Sequence, residues 1–170
     1  MADSVATVKY YCLTFLIAAV VTTLLDVAWI NLFVLPQYQP MVHAVQGASM
    51  GVRPLPGLLA YLFITLGVTV VTPKDQLRPF RETLFAALFG LVVYGVYAWT
   101  VCALLAKWSI WVAVGDTLWG PVLYGVSAFV TSFISYRCGV RPPTPLLACD
   151  ASDRGRYSNM DDRALSAKNE

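Results

Sequence analysis

The chain is built from four long apolar runs separated by short polar breaks, at residues 10–35, 55–72, 83–106 and 108–136. Each is long enough to cross about 30 Å of hydrocarbon at about 1.5 Å per helical residue, so the pattern predicts four transmembrane helices. The third break is a single lysine, Lys107, which makes the third and fourth runs antiparallel neighbours. The second break, PKDQLRPFRE at 73–82, is charged and carries two prolines, as a tight link does. The first break, 36–54, is the one sizeable loop between runs. Its Met41, Val42, Val45 and Met50 suit a short amphipathic turn on the bilayer interface; it is expected as a connector, with a lid over a cavity as the alternative.

Composition supports the membrane reading. Hydrophobic residues make up 58% of the 170 residues and charged residues 13%, with mean hydropathy +0.62, more apolar surface than a soluble core of this size uses. The first run is too long for a signal-peptide core, lacks a small-residue cleavage site and follows a single basic residue, so it is expected to be a retained anchor. The preceding MADSVATVK is a poor transit peptide. Lys9, Lys74, Arg78, Arg81, Arg137 and Arg141 fall on one side of the four-run topology and Arg53 and Lys107 on the other, which predicts both termini in the cytoplasm. The expected fold class is an all-α integral membrane protein: an antiparallel four-helix bundle, N-in and C-in, with residues 1–9 as a cytoplasmic N-terminus and the bundle over 10–136. Residues 137–170, rich in Pro, Ser, Asp and Arg, are expected as a disordered cytoplasmic tail. SNMDD within it is a weak phosphorylation context to which no role is assigned.

Cysteines are scattered without a C-x-x-C pair, and two of them, Cys138 and Cys149, lie on the predicted cytoplasmic side, where disulfides are disfavoured. Cys138 directly follows the last run and is a candidate for lipidation, with a free juxtamembrane thiol as the plainer alternative. With one histidine and no His/Cys grouping, no metal site and no cofactor are expected. No cluster of basic residues interleaved with aromatics points to nucleic acid. The expected partners are the lipid bilayer and a second copy or other membrane subunits.

The candidate chemistry lies in two short segments, LLDVAWINLF and VGDTLWGPVL, each placing Asp-x-x-Trp in an apolar run. Asp26 stands nine residues before Leu35 and Asp116 eight residues after Trp108, which puts both about 12–13 Å deep from the same face. Trp29 and Trp119 then lie one turn away in opposite directions. A mid-helix aspartate costs on the order of 3 kcal/mol on insertion scales, so two of them imply partners, a wet cavity or protonation. No Lys or Arg falls at that depth; the natural outcomes are neutral carboxyls or two carboxyls sharing a proton. Thr22 and Thr23 share the face of Asp26. In the third run Tyr94 and Tyr97 sit on a face with Thr83, Ala87, Gly90 and Val101, and phenols at that depth need hydrogen-bond partners. In the fourth, Ser109, Ala113, Asp116, Gly120, Ser127 and Thr131 form a small-and-hydroxyl stripe. Trp108 and Trp111 fit an interfacial aromatic belt, and Gly120-Pro121 predicts a kink.

DVAWINLFVLPQY in the first run, GLVVYGVYAWT followed by KW in the third, and GDTLWG in the fourth resemble, in order and spacing, the family of membrane proteins catalogued as domain of unknown function 2177. The resemblance covers about residues 12–136. The third-run motif of that family reads Tyr-x-x-Tyr-Asp-x-Thr-Asn. Tyr94, Tyr97 and Thr100 match it, whereas Ala98 and Val101 replace its acid and its amide. The resemblance implies the membrane fold and the aspartate site but carries no settled activity.

Three functions are therefore open: a midplane site at Asp26, Asp116, Trp29, Trp119, Tyr94, Tyr97, Thr22 and Thr23 that binds or passes a proton or small solute; a structural or assembly subunit whose aspartates fix helix register; and an intramembrane hydrolase. The last rests on VGD before Thr117, a partial Gly-x-Gly-Asp in which position 113 is Ala.

Overall fold

The computed structural model describes residues 2–51, 53–72 and 79–139. Expectations placed on the 140–170 tail, on Cys149 and on most of the second link lie outside the described residues. The described chain is helical, with no strand among its residues: α1 (Ala2–Trp29), a π-helical turn (Ile30–Val34), α2 (Leu35–Gln46), α3 (Pro54–Val71), α4 (Pro79–Leu104) and α5 (Ile110–Arg137). Four helical stretches, Thr7–Gln46, Pro54–Val71, Phe80–Leu104 and Ile110–Arg137, are long and apolar enough to span a bilayer.

The main departure from the hydropathy pattern is at the end of the first run. Residues 36–46, expected as part of a connector, continue the helix, so the first stretch reaches 40 residues and about 60 Å, roughly twice the hydrocarbon thickness. A change in bonding makes the continuation feasible. Pro36 and Pro40 lack an N–H, and a proline ring crowds the carbonyl four residues back. Just ahead of Pro36 the helix widens, with the Leu35 N–H reaching the Ile30 carbonyl. Asn31 Nδ2 takes up the Val27 carbonyl at 2.7 Å. Such π turns are often functional. α2 ends at Gly47 in the left-handed region (φ 71°), whose N–H closes on the His43 carbonyl at 2.9 Å.

α2 is fastened over the turn between α4 and α5. Lys107 Nζ donates to the Ala44 carbonyl at 2.9 Å, and the Ser109 N–H meets the Met41 sulfur at 3.3 Å. Trp108 lies outside α5 and meets the Tyr38 ring edge-on at 4.8 Å between centroids, whereas Trp111 is 81% exposed. α5 runs through Pro121 as one helix.

The bundle is inverted relative to a soluble one: large apolar side chains such as Leu16, Leu24, Phe85 and Val92 face outward, and the inward faces are mostly small or polar, with Leu123 and Tyr124 the large exceptions. On α1 the buried face is Tyr10, Thr14, Ala18, Thr22 and Asp26, at successive four-residue steps. The closest helix approach joins α4 to α5. A Cβ on Gly90 would stand 2.7 Å from the Tyr124 Cβ and nearer still to the Gly120 carbonyl, and one on Gly120 would stand 2.7 Å from the Tyr94 Cβ. Only glycine at both positions lets the backbones touch, which is how membrane helices gain packing without a hydrophobic drive. A small apolar core of Ala18, Val68, Ala86, Tyr124 and Ala128 fills the centre.

Candidate functional site

Asp26 is buried on α1 (7% exposed) and Asp116 on α5 (4% exposed). Carboxylates at such positions require donors. Asp26 accepts from Trp119 Nε1 at 3.0 Å on Oδ1, from the Tyr61 hydroxyl at 3.1 Å on Oδ2, and from the Tyr94 hydroxyl in a longer contact of 3.5 Å on Oδ1. Asp116 accepts from the Tyr38 hydroxyl on Oδ2. Every one of these donors is a neutral O–H or N–H group. The carboxyls are held by phenols and an indole drawn from α2, α3, α4 and α5, and they lie within reach of each other's charge.

The two Asp-x-x-Trp segments are crossed. Trp119, three residues after Asp116, bonds the carboxylate of the other segment, and Trp29, three residues after Asp26, is directed toward Asp116. The two indoles stack face to face, centroids 4.6 Å apart and planes 3° from parallel. Phe33, one turn on in the π segment, stacks on the other face of Trp29 at 4.3 Å and packs against Gly115, where a Cβ would meet its ring at 2.6 Å. This three-ring stack seats the aspartate layer. The Trp29 indole N–H is buried and lacks a partner at hydrogen-bonding geometry. It therefore faces the Asp116 carboxylate as an unused donor beside an incompletely used acceptor.

The expected site residues divide. Asp26, Asp116, Trp29, Trp119 and Tyr94 converge. Thr22 is fully buried, but its hydroxyl bonds the Ala18 carbonyl of its own helix. Thr23 is exposed, turned off the buried edge of α1 that carries Thr22 and Asp26. Tyr97 is 56% exposed and donates to neither carboxylate. Two participants are not among the residues that the apolar runs single out, Tyr38 and Tyr61. Tyr38 closes the DVAWINLFVLPQY segment but falls in the stretch expected as a loop. Tyr61 begins a four-residue polar rhythm with Thr65 and Thr69 in an otherwise apolar α3, a pattern that marks an inward face. Ala98, where the family motif has an acid, is 1% exposed and one turn beyond Tyr94.

Four apolar spans enclosing a buried layer of carboxyl, phenol and indole groups define a polytopic integral membrane protein. A family model described as a predicted membrane protein, domain of unknown function 2177, matches residues 11–133. The match covers well over half of the 170 residues, and the chain belongs to that family. No curated protein and no solved structure matches it.

Proposed function

We propose that the aspartate, indole and phenol layer is a protonatable site that binds or passes a proton or small solute within the bilayer. The observation that carries this is the crossed arrangement of the two segments, which holds two acids near one another with neutral donors. Buried intramembrane acids whose hydrogen-bond partners include no cation are the groups that line proton and solute sites. The unused Trp29 N–H beside Asp116 supports binding of a water or a small donor–acceptor solute at the same point.

The topology that accompanies this reading is an antiparallel bundle with both termini in the cytoplasm, supported by the bias of basic residues, and a second copy or another membrane subunit as partner. A bundle of four spans is small for a solute path by itself.

A second reading, in which the carboxyls fix helix register and do no more, is favoured by the nearly parallel Trp29 and Trp119 stack. The two readings part on one experiment. The full chain is reconstituted into proteoliposomes and proton flux is followed with an internal pH dye, for the wild type, Asp26→Asn, Asp116→Asn and the double variant. The site reading expects a drop of about tenfold or more in each variant, a barrier change of about 1.4 kcal/mol. Flux unchanged in variants that fold and assemble normally sinks it and leaves the register reading.

A further inference from the structure

A second group of buried polar side chains is separate from the aspartate layer. The hydroxyls of Thr14 on α1, Thr83 on α4, and Ser127, Thr131 and Ser135 on α5 are buried without a hydrogen-bond partner. Thr14, Ser127 and Thr131 are fully buried and Ser135 is 3% exposed. The α5 residues recur at four-residue steps and share one face. Helix packing brings Thr14 toward the same level. Asp26 meets Trp119, and Ala18 and Ala128 share one core cluster, so a shift of eight residues on α1 matches nine on α5. One further turn on each helix reaches Thr14 and Thr131, and one more reaches Tyr10 and Ser135. Thr83 enters from α4, its carbonyl 3.9 Å from a Cβ placed on Gly125. Tyr10 lies beside Thr14 and within electrostatic reach of Glu82, which gives the band a carboxylate at its outer end.

A buried hydroxyl left without a partner costs about 1–3 kcal/mol, and several in one band make a dry interior unfavourable. Grouped hydroxyls of this kind are the surroundings in which buried water is held by two to four bonds. Between the band and the aspartates lies the packed core, where Gly67 and Gly90 both press on Tyr124, the largest side chain buried there. That packing is close on two sides of the Tyr124 side chain. The Tyr124 ring meets Tyr94 edge-on at 6.4 Å, and Tyr94 donates to Asp26, so the two phenols are neighbours at the boundary between the two polar layers.

We propose that the band of Thr14, Thr83, Ser127, Thr131 and Ser135 is hydrated and forms a proton path from the Tyr10 and Glu82 end of the bundle to the aspartate layer, with Tyr124 at the junction. The path rests on the proposed aspartate site for its destination; its hydration does not. The species carried is the proton, because it alone crosses a packed phenol layer by exchange along hydroxyls and water.

Two measurements on the full chain in liposomes test this. In a background with the native cysteines replaced by serine, single cysteines are placed by Ser127→Cys and Thr131→Cys, with Val68→Cys in the dry core as reference. The probe is 2-aminoethyl methanethiosulfonate, whose aminoethyl-bearing sulfur is attacked by the cysteine thiolate to form a mixed disulfide with release of methanesulfinate, a reaction that requires water at the thiol; Ser127→Cys and Thr131→Cys are expected to react about tenfold or more faster than Val68→Cys. Equal, slow reaction at all three overturns the proposal. The second measurement is proton flux in Ser127→Ala with Thr131→Val, expected to fall about tenfold while the summed emission of the five tryptophans, Trp29 and Trp119 among them, stays unchanged. Unchanged flux in a chain with native emission overturns the path. The thiol reaction needs no transport activity, so a dry band and an inactive aspartate site give different results.

Discussion

The indole N–H of Trp119 donates to Asp26 at 3.0 Å, across the helix interface and away from the aspartate of its own segment. That bond and the stack of Trp119 on Trp29 use different parts of one side chain and are separable by substitution. Trp119→Phe keeps a ring in the stack and removes the donor. It is expected to destabilise the protein in detergent by about 0.6–1.7 kcal/mol, the range of hydrogen bonds between membrane helices. Trp119→Ala removes both and is expected to cost about 3–5 kcal/mol. Thermal unfolding of the two variants checks the order; equal losses would mean that the bond, rather than the stack, dominates.

Tyr38 ties α2 to Asp116. Tyr38→Phe keeps the edge-on contact with Trp108 and removes the hydroxyl, so residues 36–46 are expected to exchange amide hydrogens faster while α5 is unaffected. Tyr97→Phe, at a half-exposed phenol, is the matched control and is expected to change neither. Unaltered exchange over 36–46 in Tyr38→Phe would show that Lys107 and Met41 hold α2 without it.

The α4 and α5 backbones touch at Gly90 and Gly120. Gly90→Ala or Gly120→Ala places a methyl where the facing backbone already lies, with an expected loss of about 1–3 kcal/mol or a rearranged helix pair. Gly57→Ala, with nothing within 4 Å, is expected to be neutral. Folded yield in detergent, measured by size-exclusion chromatography, distinguishes them.

Ala98→Asp restores the acid of the family motif. The position is buried and its neighbour at position 101 is Val, so the added carboxyl enters a packed α4 face without the amide of the motif. The expected cost is about 3 kcal/mol, the scale for a mid-span aspartate, seen as a fall in folded yield. A yield equal to the wild type would mean that the Tyr94 and Asp116 surroundings already accommodate a third acid.

Much of the fold is legible along the chain because hydropathy is a property of runs. A stretch of apolar residues that matches the bilayer thickness needs no partner to be recognised, and all four spans follow from that alone. The inward face of α1 is equally legible, since Tyr10, Thr14, Thr22 and Asp26 recur at the helical step that puts polar groups on one side. The first run is the exception. Pro36 and Pro40 signal a break, but a widened π turn absorbs the missing N–H groups, and the helix continues to Gln46. Thr23 illustrates the limit of spacing: three residues from Asp26, it shares a nominal face yet turns outward, while Thr22, four residues away, turns inward.

The sequence by itself determined the four membrane helices, the burial of Asp26 and Asp116 and the family, because each depends on length, periodicity or motif order within one segment. Tertiary structure alone decided the pairing: Trp119 with Asp26 rather than Trp29, Tyr38 with Asp116 from a stretch expected as a loop, and Tyr61 from a helix with no evident chemistry. Those choices depend on how far each helix is rotated and shifted against its neighbours. Here rotation and shift are set by the Gly90 and Gly120 contact and the Trp29, Trp119 and Phe33 stack, contacts among residues far apart in the chain.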